Sequence, residues 1–242
     1  SVDDLLNWVN LYGSKQDALS ELGRLSESLE VIQTIQEIID LADEEGNVCE
    51  TFGNWPLKKG LTLLTMDQFR RSIPAFQQAG ELDPTDPDIW RVLGATQFGL
   101  KAYKKAATSF GRVVELRPTD VPSLMCLGIS LCKTGSYGQA RGAFRRALDL
   151  DDSFYTPHSH LGLAECAHGM GQSGETIRRH LHNAFRCAAV SLSQKEREAF
   201  GWEICNCLVR SLPGGGLEQK LKRARKIWEG WDKKRTAPSA EA

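Results

Sequence analysis

Glycine recurs at Gly60, Gly94, Gly128 and Gly162, a constant step of 34 residues. A fixed period of roughly 20 to 50 residues restricts a chain to repeat architectures before any local propensity is considered. Other positions keep the same step. Phe69, Tyr103 and Tyr137 follow the first three glycines; Phe76, Phe110 and Phe144 fall together, as do Ala79, Val113 and Ala147. Ala106 matches Ala140, Trp90 aligns with Leu124 and His158, and Leu93 with Leu127 and Leu161. Leu82, Leu116 and Leu150 lead into Pro84, Pro118 and Asp152. Each residue type has a reason at its place. Gly and Ala let paired helices approach, Leu and Phe fill the seam, and Pro ends a helix where the chain must turn. A generic bundle has no cause to keep glycines and phenylalanines in phase.

The pattern of a large residue, Leu-Gly, a bulky residue, then Ala, Phe, Ala and Pro resembles the tetratricopeptide repeat family. It is strongest over 87–154, present over 53–86 and weaker over 155–190. The resemblance implies an all-α fold, a solenoid of helical hairpins with three to four repeats. In the fourth repeat Ile177, Leu181 and Ala184 take the Ala, Phe and Ala places only if about three extra residues sit in the turn between Gly169 and Glu175, an exposed glycine-rich loop.

The flanks read as helices too. Leu22, Leu25, Leu29, Ile32, Ile35 and Ile39 predict one amphipathic helix of about 25 residues ending near Gly46-Asn47. Leu5, Leu6, Trp8 and Val9 suggest a short helix before it. Ser193 to Glu196 reads as a capping box opening a helix through Phe200, Trp202 and Leu208, stopped at Pro213 to Gly216. In a last helix Leu217, Leu221, Ala224, Trp228 and Trp231 line one face, with Lys220, Lys222, Arg223, Arg225 and Lys226 around the rest. A basic amphipathic helix suits a membrane or a partner, but a solenoid needs its last core face covered, and capping is the favoured role. The expected organisation is an acidic helical segment at 1–50, a solenoid at 53–190, capping helices at 191–235 and a disordered tail at 236–242.

Residues 1–50 hold 12 acidic and 2 basic side chains, a net of −10, so the remainder carries +9 to reach the total of −1. A balanced total leaves no global field for nucleic acid. The opposed ends favour self-association instead, with the Leu22 to Ile39 stripe either a homodimer seam or folded back on the chain. No run of about 18 apolar residues exists, so no membrane span is expected. Seven cysteines without disulfide spacing suggest reduced thiols and a cytoplasmic setting. The start lacks the basic and apolar regions of a signal peptide.

No phosphate loop, nucleophile elbow or His-Glu-x-x-His motif is present, so no catalytic residue and no cofactor is expected. All five histidines, His158, His160, His168, His180 and His182, lie close together with Cys166 and Cys187 nearby. Neighbours in His-x-His stand roughly 200° apart on a helix, a poor arrangement for one ion. No metal site is expected.

In the family that the repeats resemble, the first helix of each repeat lines a concave face that binds peptides. By that register the partner-binding residues are Leu57, Leu61 and Leu64; Arg91, Val92, Ala95 and Phe98; Met125, Cys126, Ile129 and Cys132; and His160, Leu163 and Cys166. The groove is largely apolar and implies a protein or peptide partner with apolar anchors. Heat-shock co-chaperones of the family hold a C-terminal carboxylate with Lys, Asn and Arg; Leu61, Val92 and Cys126 stand at such places here. The string Trp90-x-x-Leu93-Gly94-x-Thr96-Gln97 resembles the peroxisomal import receptor, whose groove asparagines have no counterpart in the second and third repeats. A leading helix, about three repeats and an apolar groove are similar, over residues 60–168, to the chaperones of type III secretion translocators. The expected function is a non-enzymatic interaction scaffold or adaptor. Such a chaperone is the alternative, and a groove filled by the chain itself is a further one.

Overall fold

The computed structural model describes residues 14–43, 55–150 and 154–236. The expected short helix at Leu5 to Val9, the helix end at Gly46-Asn47, the repeat position of Asp152 and the tail from Ala237 lie outside the described residues. The chain divides into two compact units, Ser1–Arg117 and Pro118–Ala242.

The first unit contains α1 (14–21), α2 (Leu25–Asp43), α3 (Trp55–Thr65), α4 (Phe69–Leu82), α5 (Pro87–Gly99) and α6 (Tyr103–Leu116). Helices α3 and α4 form one hairpin, α5 and α6 a second; α4 packs on α5 and α2 on α3. The periodic residues make the hairpins. Phe76 lies against Gly60, where an added Cβ would stand 2.5 Å from the ring, and Phe110 lies against Gly94 in the same way. Gln97 accepts a buried hydrogen bond of 2.9 Å from Ser109 on the partner helix. That glutamine therefore serves the inside of its hairpin. Asp86 starts α5 by accepting from the Asp88 N–H at 2.8 Å, with Pro87 in the first turn.

The second unit contains α7 (Val121–Lys133), α8 (Tyr137–Asp149), α9 (Thr156–Gly169), α10 (Gly174–Ser191), α11 (Gln194–Ser211) and α12 (Leu217–Thr236). Helices α7 and α8 pair, α9 and α10 pair, α8 and α7 both pack on α9, and α11 packs on α10 and α9 before α12 closes on α11. The capping box is present, Ser193 and Glu196 each accepting from the other's backbone.

The first helix of each pair ends alike. Asp67, Lys101, Gly135 and Gly171 take left-handed φ of 57°, 61°, 78° and 67°. Around Gly135 the N–H groups of Gly135 and Ser136 bond back to the carbonyls of Cys132 and Leu131, which satisfies the last turn of α7. The fourth pair carries the three extra residues expected of it, since α10 starts at Gly174 where a strict step from Tyr137 would give 171. Two lengthen the end of α9 and one lengthens the turn, so Gly169 is still helical. Ile177, Leu181 and Ala184 are buried as the shifted register requires.

Two expectations on the flanks are corrected. The amphipathic helix does not begin at Leu22. Gly23, at φ 72°, ends α1, with the Arg24 N–H bonding to the Leu19 carbonyl, and leaves Leu22 in the turn at 72% exposed. Val31, Ile32 and Ile35 are buried within the unit, while the side chain of Ile39 lies outside the described residues. In α12, Leu217 and Leu221 stay exposed, and the covered set is Ala224, Ile227, Trp228 and Trp231, at helical spacing over Phe185 and the core of α10 and α11. Trp202 on α11 is exposed. Among the described residues no helix is long and apolar enough to cross a membrane.

Candidate functional site

In the first unit the expected partner-facing residues occupy α3 and α5. Leu61 is 43% exposed; Leu57, Leu64, Val92 and Phe98 are half-buried, and Ala95 is exposed. Phe98 meets Tyr103 edge to face at 5.4 Å, which fixes its ring across the turn from α5 to α6. Arg91 is exposed but not unpaired, because Asp88 accepts from it at 2.7 Å. Arg117 also donates to both carboxylate oxygens of Asp88, at 3.0 and 3.1 Å. The Arg117 bonds first, and Arg91 with them, hold the Asp88 carboxyl below the usual carboxylate range. The face is apolar with a neutralised charge at its edge.

In the second unit the expected residues divide into two sets. Cys126 and Ile129 on α7 and His160 on α9 keep partial exposure. Met125, Cys132, Leu163 and Cys166 are buried. Met125 accepts from the Ser159 hydroxyl at 3.2 Å, and the Cys132 and Cys166 sulfurs stand 3.5 Å apart, so these side chains hold α7 to α9. Burial, and secondarily Asp120, pushes the Cys126 thiol up, which makes it a neutral, apolar contact.

A pocket of about 440 Å³ opens between α9 and α10, lined by Thr156, His160, Asn183, Arg186, Cys187 and Ser191, with the exposed Val190 at its margin. Its α10 residues have no counterpart in a register drawn on first helices alone. Burial is the main force raising the Cys187 thiol, with Arg186 opposing it.

The histidines do not converge. His158 packs between Phe154 and Phe200, and His182 lies 5.2 Å from Trp231. His168 is exposed. His160 and His180 face one another with ring centres 6.1 Å apart, and the Nδ1 atom of each is buried without a hydrogen-bond partner. Among the described residues no group of three or more His, Cys, Asp or Glu is arranged to hold a metal ion.

Burial first, then His180, lowers the His160 pKa; burial first, then Arg179 and Arg145, lowers that of His180. The unfolded chain therefore takes up protons at these sites before the folded chain does. Stability is fully present above the ordinary value of 6.5 and falls as pH drops through it. The urea midpoint should decline from about pH 7.5 to about pH 5.5, and a His160→Gln, His180→Gln double variant should flatten that decline. Equal slopes in the two proteins would contradict this account.

Hairpins that pair a glycine on one helix with a phenylalanine on the next, 34 residues apart, define a helical-repeat protein. The tetratricopeptide repeat model matches residues 57–121, so that stretch is recognised as tetratricopeptide repeat. Solved structures share the fold. MamA from Desulfovibrio magneticus RS-1 superposes with a TM-score of 0.57 at 20% identity, over 76% of this chain and 97% of that one. A crystal structure of MamA protein gives 0.59 at 16% identity, over 75% and 92%. YrrB, described as a TPR protein with an unusual peptide-binding site, gives 0.60 at 17% identity, over 74% and 86%. At these identities the likeness shows the fold. No curated protein matches the sequence. The tetratricopeptide fold supports a role as a protein–protein interaction scaffold in general.

Proposed function

We propose that the chain is a non-enzymatic scaffold that captures a protein or peptide segment through apolar anchors on its first-helix faces. The observation that carries this reading is the exposure of Leu61, with Leu57, Leu64, Val92 and Phe98 partly accessible in the first unit and Cys126 and Ile129 partly accessible in the second. Apolar side chains left accessible on a repeat surface gain from being covered by a partner, and the charge beside them, Arg91, is already satisfied by Asp88. Peptide binding by YrrB on the same fold supports the proposal. In this reading α11 and α12 cover the last repeat, and the pocket between α9 and α10 takes a flanking polar group of the segment. The narrower secretion-chaperone reading rests on resemblance alone.

A random peptide library panned on the protein tests it. Recovered sequences should share two or more large apolar residues at a recurring spacing and should be lost on an Ile129→Asp surface. Recovery of charged motifs without apolar anchors, or equal recovery on the variant, would overturn the proposal.

A further inference from the structure

Cys132 and Cys166 occupy the same place in the repeat, 34 residues apart, one on α7 and the other on α9. Both side chains are buried, and their sulfurs lie 3.5 Å apart as free thiols. A disulfide needs about 2.05 Å between sulfurs and facing β-carbons, so the pair must close by about 1.5 Å, a movement on the scale of side-chain rotation. Cys205 and Cys207, by contrast, sit two residues apart on α11, where side chains diverge by roughly 200°. Helices α7 and α9 are already held together near Met125 and Ser159, so a bond at Cys132 and Cys166 would join a second point of the same seam.

We propose that Cys132 and Cys166 form a built-in oxidation site at which a hydroperoxide converts the two thiols into a disulfide that locks α7 to α9. The two cysteines are not equivalent. Cys132 is 8% exposed and Cys166 is 0% exposed, so a small peroxide reaches Cys132 first. The hydrogen bond with Cys132 and then burial push the Cys166 thiol up, which keeps it protonated and unreactive toward peroxide; it must give up that proton to attack the neighbouring sulfur in the second step. The Cys132 sulfur, as thiolate, breaks the O–O bond of hydrogen peroxide and becomes a sulfenic acid, releasing hydroxide that takes up the thiol proton as water. Cys166 then attacks that sulfur; its proton and the departing hydroxyl leave as a second water, and the S–S bond forms. Two thiols lose two protons and two electrons, and one hydrogen peroxide becomes two waters.

The test treats the reduced full chain with hydrogen peroxide and maps it without reduction. The expected product is a Cys132 to Cys166 cross-linked peptide, with an intact-mass loss of about 2 Da for two hydrogens. Its Tm should be higher than that of the reduced protein and return with dithiothreitol. In Cys166→Ala the sulfenic acid on Cys132 should be trapped by dimedone, whereas in Cys132→Ala, Cys166 should stay unmodified under the same exposure. The wild-type map decides the matter even if a variant fails to fold. Free thiols at both positions after other cysteines have oxidised, or a mixture of pairings matching that of urea-unfolded protein, would overturn the proposal.

Discussion

Phe144→Ala should cost the second unit about 3–5 kcal/mol, the range for truncating a fully buried aromatic side chain. The ring is 1% exposed and serves two helices at once. A Cβ on Gly128 of α7 would stand 2.7 Å from it, and one on Gly162 of α9 would stand 2.5 Å away. Both neighbours are glycines, so neither has a side chain that can swing into the space left behind. Collapse would have to move α7 or α9 as a whole, and the Met125 to Ser159 contact resists that. Against a total stability of about 5–15 kcal/mol for a typical domain, the loss should be plain in urea unfolding as a lower midpoint at a similar slope. A loss below about 1 kcal/mol would show that the ring does not join the two helices.

Gly162→Ala should destabilise by about 1–3 kcal/mol through overpacking, against the ordinary preference for Ala inside a helix. The new methyl group would meet three ring atoms of Phe144 at 2.5 to 2.6 Å, and a ring closed in by Gly128 on its other side has no room to withdraw. Gly142 in α8 is the control, because nothing lies within 4 Å of its added Cβ. Gly142→Ala should stabilise by up to about 1 kcal/mol. Thermal melts of the two variants should therefore move in opposite directions. Combining Gly162→Ala with Phe144→Leu should recover part of the loss, as expected for residues in contact. Shifts of equal sign, or strict additivity, would contradict the packing described here.

The hairpins were legible because their determinants are periodic. The phase of glycine and phenylalanine locates both helices of a pair, and the displacement of Ile177, Leu181 and Ala184 reveals the three additional residues of the fourth pair. What the period does not encode is how far each first helix is covered by the next. Met125, Cys132, Leu163 and Cys166 share a register with accessible neighbours, yet the approach of α7 and α9 buries them. The Leu22 to Ile39 pattern counted residues through a left-handed turn at Gly23, which apolar spacing alone does not detect. In α12 the spacing was right for Ala224, Trp228 and Trp231, but the beginning of the helix carries Leu217 and Leu221 outside the core formed with Phe185. The α10 side of the pocket, Asn183, Arg186 and Cys187, leaves no mark in a pattern of apolar residues.

The central claim is that first-helix apolar side chains hold the partner segment, and calorimetric titration of a library-selected peptide tests it most directly. Leu61→Asp and Ile129→Asp should each weaken Kd at least about tenfold, or ~1.4 kcal/mol, with helical circular dichroism unchanged, while Arg91→Ala should stay within about threefold. Wild-type affinity in both aspartate variants, with their fold intact, would place the binding surface elsewhere and contradict the account.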